Sequence, residues 1–175
     1  MSVFVTVGTT RFDALVRAAS SPVALSLLAE LGHTDLRIQY GSGEYVPFDA
    51  GAGGSAAARV PPPLRCEAFD FKPGLAEEMA GAALVISHAG SGSIMEALAL
   101  RKPLLVVVND QLMDNHQAEV AEALAAQGHL YYCSPGTLVE TLRGADFSKL
   151  RPLPPVKGEK FIGLMDETLG FDRAA

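Results

Sequence analysis

Three stretches of this chain are apolar, largely β-branched and strand-sized, and each runs directly into a turn of glycine or polar residues. They are Val3-Phe4-Val5-Thr6-Val7 before Gly8-Thr9-Thr10, Ala83-Leu84-Val85-Ile86-Ser87 before His88-Ala89-Gly90-Ser91-Gly92-Ser93, and residues 104–108 before a polar loop at 109–117. A run of this kind has no polar face, so it reads as a strand covered on both sides, the situation of a parallel strand. Helical spacing fills the intervals. Phe12, Leu15, Val16 and Ala19 are followed, beyond Pro22, by Val23, Leu27, Leu28 and Leu31, closed by Gly32. Ile94, Ala97, Leu98 and Leu100 mark another helix, and residues 115–127 a further one stopped by Gly128. Further strands are expected at 36–40, 65–71 and 129–133, with a short helix at 74–82. Alternation of this sort predicts an α/β fold, a mostly parallel sheet flanked by helices on both faces.

The 175 residues are 49% hydrophobic and 19% charged, enough apolar matter for one compact domain. We expect that domain over residues 1–150, with residues 151–175 as a C-terminal tail or helix. Pro152, Pro154 and Pro155 break regular structure before Phe161, Ile162, Leu164, Met165 and Leu169, an apolar stripe that can pack on its own sheet or dock a partner. Residues 43–63, rich in Gly, Ala and Pro, read as a surface loop. A net charge of −6 argues against a dedicated nucleic-acid binder. Cys66 and Cys133 build no disulfide scaffold, so a reducing compartment is expected. The apolar N-terminal run lacks a preceding basic region and ends in glycine, so neither a signal peptide nor a membrane span is predicted.

Ligands of open α/β sheets bind beyond the carboxyl ends of the strands. Three loops are candidates there: Gly8-Thr9-Thr10, 88–93 and 109–117. The second carries the strongest chemistry. Gly90 and Gly92 let the backbone approach a ligand, and the amides of Ser91 to Ser93 open a helix, a site suited to a diphosphate. Ser91, Ser93 and His88 add side-chain donors, and Glu96 supplies a carboxylate that can accept from a ribose diol. The third glycine of a dinucleotide fingerprint is replaced by Met95, and no Gly-Lys-Ser/Thr of a Walker loop is present. The 109–117 loop, with Asn109, Asn115 and Gln117, suits a hydroxyl-rich ligand. A metal reading of Asp110, Asp114 and His116 is weaker, because no further ligand cluster completes it.

Together, His88-x-Gly90-x-x-Ser93-x-x-Glu96 and the polar loop ending in Gln117 resemble the nucleotide-sugar half of GT-B glycosyltransferases, which pair two Rossmann-like domains. More narrowly, Phe4 to Thr10, Ile86 to Ser93 and Asn115-His116-Gln117 are similar to a family of small cytosolic catalytic subunits, related to the C-terminal domain of glycosyltransferase family 28. These belong to the UDP-N-acetylglucosamine transferase that elongates dolichol-linked oligosaccharide. The resemblance implies transfer of N-acetylglucosamine from UDP to N-acetylglucosaminyl-diphosphodolichol, with inversion, as the second step of lipid-linked oligosaccharide assembly for N-glycosylation. It implies a UDP-sugar site of Gly8, Thr9, Thr10, His88, Gly90, Ser91, Gly92, Ser93, Glu96, Asn115 and Gln117, with uracil near Phe69 to Phe71. His88 is this chain's catalytic candidate, and the base is expected in the partner. No cofactor or metal is implied. The acceptor site is expected on a membrane-anchored partner subunit, giving a heterodimer recruited from the cytoplasm to the cytosolic face of the endoplasmic reticulum. Two alternatives remain: a bacterial-type exopolysaccharide glycosyltransferase subunit, and a non-catalytic UDP-sugar-binding module.

Overall fold

The computed structural model describes residues 1–48, 60–109 and 116–153, the last segment without the side chains of residues 116 and 117. Strands β1 (Ser2–Thr6), β2 (Asp35–Gln39), β3 (Arg65–Phe69), β4 (Leu84–His88), β5 (Leu104–Val107) and β6 (Tyr131–Cys133) form one sheet. Its order is β3-β2-β1-β4-β5-β6, and every neighbouring pair is parallel. The expectation of a mostly parallel sheet is thus met in full among the described strands. The helices are α1 (Asp13–Ala19), α2 (Pro22–Glu30), α3 (Ala76–Gly81), α4 (Ser91–Ala99), α5 (His116–Ala126) and α6 (Leu138–Gly144).

Alternation along the strands divides the core between the two sheet faces. On one face Val3, Val5, Leu36, Ile38, Ile86 and Leu105 pack with Leu15, Val16, Leu25, Leu28, Leu138 and Leu142 of α1, α2 and α6. On the other, Phe4, Val85, Leu104 and Val106 pack with Met79 of α3, Ile94, Ala97 and Leu98 of α4, and Ala121 of α5. Each fully buried Val, Leu or Ile contributes roughly 1.5–3 kcal/mol of transfer free energy, so both faces are strongly held.

Several local outcomes differ from the spacing. The 12–31 segment forms two helices, because Ser21 caps the second by accepting from the Ala24 amide at 3.2 Å and Pro22 occupies its first turn. Val23 and Leu31, counted in the apolar stripe, are 59% and 42% exposed. Helix α6 was not expected; it is two turns long and anchored by only two buried leucines, Leu138 and Leu142. Such a stripe is too short to show as a periodic signal. Residues 49–59 of the 43–63 loop and the 154–175 tail, including the Phe161 to Leu169 stripe, lie outside the described residues.

Candidate functional site at the strand-order reversal

The chain starts at β1, moves outward through β2 to β3, then returns to β4 on the other side of β1. That reversal opens a crevice between the carboxyl ends of β1 and β4, the usual ligand position in a doubly wound sheet. Register places Thr6 beside Ser87, so the turn that follows β1 and the turn that follows β4 leave the sheet side by side. A cavity of about 580 Å³ lies there. It is lined by Gly8, Thr9, Thr10, Gln39, the segment Phe71 to Leu75, His88, Gly90, Ser91, Gly92, Ser93 and Glu96. Nine of the eleven residues expected to bind the UDP-sugar are therefore brought to one cleft. Asn115 lies outside the described residues. Gln117 falls at the second position of α5, and its side chain is likewise outside them.

The centre of the cleft is an interlock between one imidazole and two glycines. His88, the last residue of β4, is 8% exposed. A Cβ placed on Gly8 would sit 2.5 Å from His88 Cε1, and one on Gly90 would sit 2.2 Å from His88 Nε2. Both are steric overlaps, so the ring fills the volume that two side chains would need. Gly8 is further constrained by a φ of +60°, in the left-handed region. Gly90 is not: its φ is −75°. A requirement that the sequence did not reveal is therefore steric: His88 stands against Gly90 and leaves no room for a Cβ. At Gly92, by contrast, no atom lies within 4 Å of a Cβ.

Gly90 also starts α4 as its N-cap, without any side-chain cap. The first helical bond runs from the Ile94 amide to the Gly90 carbonyl at 3.0 Å. The amides of Ser91, Gly92 and Ser93 therefore have no acceptor within the helix and face the cleft end, where the helix dipole favours an anion. His88 Nδ1 is buried without a hydrogen-bond partner. Burial pushes the His88 imidazole below the usual histidine range, so near neutrality it is uncharged and carries one N–H donor. Glu96, one turn into α4, is half-buried at the rim of the same cavity.

Sequence reasoning missed two contributors. The first is Gln39, at the end of β2 and 1% exposed, which lines the cleft floor. Its place at the carboxyl end of β2, where ligands of such sheets bind, was the available signal. The second is the stretch Lys72 to Leu75, which extends the wall beyond Phe71, itself part of the region expected near the uracil. Phe71 is 52% exposed over the cleft, whereas Phe69 stacks on Phe4 with ring centroids 6.3 Å apart and carries Lys72 Nζ 4.3 Å from its own ring centroid. Lys72 is also ion-paired with Glu78. Of the other polar residues weighed, Asp13 caps local structure by accepting from the Glu44 and Tyr45 amides. The thiols of Cys66 and Cys133 are each pushed up to about 11 by burial, which leaves them inert. Among the described residues no cluster of three or more His, Cys, Asp or Glu is arranged for a metal; Asp110 and Asp114 lie outside them.

The sheet order, the crevice and the helix start together define a Rossmann-like domain of the kind that forms one half of a GT-B glycosyltransferase. The crystal structure of MurG from Acinetobacter baumannii has this fold: it aligns with 96% of the chain and 42% of its own, at a TM-score of 0.61 and 20% identity. The chain belongs to the glycosyltransferase family 28 C-terminal domain family, whose model matches residues 2–166. Similar proteins include the UDP-N-acetylglucosamine transferase subunit ALG13 of Homo sapiens, 43% identical over 137 residues and 75% of this chain. The chain spans about a tenth of the length of that relative, 11%. The protein of the same description from Saccharomyces cerevisiae is 35% identical over 193 residues, covering 96% of each. A solution NMR structure of ALG13 aligns with 97% of this chain and 96% of its own, at a TM-score of 0.68 and 30% identity.

Proposed function

We propose that this chain is the donor-binding, catalytic subunit of a UDP-N-acetylglucosamine transferase, active together with a membrane-anchored partner. The observation that carries the reading is the cleft itself: three helix-start amides, a buried neutral imidazole and a rim carboxylate converge at the β1–β4 crevice. In this reading the amides of Ser91, Gly92 and Ser93 hold the diphosphate, and the hydroxyls of Ser91, Ser93, Thr9 and Thr10 add donors. His88 donates its N–H to a phosphate oxygen. As the glycosidic bond to UDP breaks, charge develops on that oxygen, and donors fixed in advance stabilise it without reorganising. Glu96 accepts from the ribose hydroxyls, Phe71 lies where the uracil would stack, and Asn115 with Gln117 holds the sugar. Inversion at the anomeric carbon requires a base on the opposite face of the sugar, which this assignment gives to the partner. The helix start does the work that a cation does elsewhere.

The acceptor in this reading is N-acetylglucosaminyl-diphosphodolichol, and the site of action is the cytosolic face of the endoplasmic reticulum. No helix among the described residues is long and apolar enough to cross a membrane, so recruitment falls to the partner. The names of the relatives, each a transferase subunit, support an enzyme over a purely regulatory UDP-sugar binder and over a bacterial exopolysaccharide subunit. Residues 1–150 would then form the donor domain and 151–175 the docking element. The test is a sugar-transfer assay with UDP-N-acetylglucosamine and a lipid-diphosphate-N-acetylglucosamine acceptor. Transfer should need both this chain and a membrane partner. UDP binding without transfer in the assembled pair would leave the non-catalytic module instead.

A further inference from the structure

Gln39 makes four side-chain hydrogen bonds from a buried position, and they join two separate walls of the cleft. Its Oε1 accepts from Thr6 Oγ1 at 2.6 Å and from the Val7 amide at 3.1 Å. Its Nε2 donates to the Gly8 carbonyl and to the Asp70 carbonyl, both at 2.9 Å. The orientation of the amide follows from chemistry: the Val7 N–H can only donate and the two carbonyls can only accept, so oxygen must face Val7 and nitrogen the carbonyls. Thr6 Oγ1 completes the set by accepting from the Gly8 amide at 3.0 Å. Both backbone groups of Gly8 are thus held, in its left-handed conformation, against the His88 ring. Asp70 in turn precedes Phe71 and Lys72, which line the opposite wall.

We propose that Gln39 is a positioning residue that clamps the Gly8–Thr10 turn to the 70–75 segment and so sets the width of the nucleotide cleft. The proposal rests on the nucleotide reading of that cleft. A buried side chain meeting only structural needs could satisfy β1 alone. This one sends its two donors to the loops that follow β1 and β3, with Gly8 and Phe71 as their cleft-facing members. Without the clamp the diphosphate end and the aromatic end of the site would move independently, and a ligand bridging them would have to order both.

Gln39→Glu separates the two halves of this network, because a carboxyl keeps acceptors for Thr6 and Val7 while losing the amide donors to Gly8 and Asp70. UDP affinity of the full chain, measured by calorimetry, should fall tenfold or more, with unfolding still cooperative. Amide exchange at Gly8, Thr10 and Phe71 should rise together while Val85 and Ile86 stay protected, and UDP should slow exchange in both loops of the wild type. Gln39→Met, which preserves shape and removes all four bonds, should show the same pattern if the glutamate chain fails to fold. A variant that loses only Tm and binds UDP like the wild type overturns the clamp, as does faster exchange confined to one loop. A wild-type chain that fails to bind UDP overturns the nucleotide reading, and the clamp with it.

Discussion

The two ends of the sheet carry cavities of opposite character. At the carboxyl ends, the 580 Å³ cleft is lined by polar groups without partners in the fold: helix-start amides and a buried imidazole nitrogen. At the amino ends, a cavity of about 350 Å³ between the starts of β1 to β3 and α3 holds more charges, and five of its six charged residues are ion-paired with one another. Arg37 pairs with Glu67 at 3.2 Å and with Glu78 at 2.5 Å, Arg65 meets Asp35 at 3.5 Å, and Ser2 Oγ donates to the Gly81 carbonyl at 2.7 Å. Charge density alone would favour the amino end, whereas the proposed nucleotide site lies at the other. What marks a ligand site is hydrogen-bonding capacity the fold has left unspent.

The sharpest break of this contrast is at Gly90. Gly90→Ala drives a methyl into His88, and overpacking at such a site costs about 1–3 kcal/mol of stability. UDP binding should be lost, while Gly92→Ala, facing open space, should keep wild-type Tm and weaken UDP binding alone. Equal Tm losses for the two glycines, read by thermal unfolding, would remove the interlock. Glu96→Ala comes next. It should cost roughly 1.5–3 kcal/mol of UDP binding, the range for a hydrogen bond to a charged group, without lowering Tm. Unchanged affinity in calorimetry would return Glu96 to the solvated helix face.

Acidification is a smaller lever. Burial lowers the pKa of both His88 and His33, so the unfolded chain binds protons more readily than the folded one. Stability should therefore be steady above pH 6.5 and fall as pH drops below it, by at most about 1.4 kcal/mol per pH unit for each histidine. Urea unfolding between pH 7.5 and 5 should show this slope, and His88→Asn should flatten it; an unaltered slope would mean that the ring is not held neutral. Least of all should follow from Arg65→Ala at the amino end. Its partner Asp35 is also solvent-facing, and such pairs are worth ~0–1 kcal/mol. An effect of that variant on UDP affinity would erase the distinction between the two cavities.

The strands and most helices were legible because their signals are local: the uninterrupted apolar runs at β1, β4 and β5, and the glycines that stop α2 and α5. Strand order was not, since pairing β1 with β4 rather than β3 is decided by how whole faces pack. The candidate site shows the same division. His88, the glycines and Glu96 could be picked out as one motif, and the Gly8 turn joined them only through the reversal at β1. Gln39 was overlooked because its four partners come from β1, its following turn and the turn after β3, which adjacency in sequence does not reveal. The steric constraint on Gly90 was hidden for a similar reason: a glycine's cause is sometimes a neighbour's bulk, here a ring two residues away.

That bulk has a consequence for how this protein can change over generations. With His88 in place, a side chain at Gly8 or Gly90 meets a ring, so either substitution alone forces the ring or the backbone to shift. If the histidine were first replaced by a small residue, the clash at Gly90 would vanish, and only the left-handed backbone would still guard Gly8. The three positions are therefore a single heritable unit with a preferred order of events. A lineage that abandons the histidine can drift at the second glycine afterwards, and one that retains it meets the steric cost first.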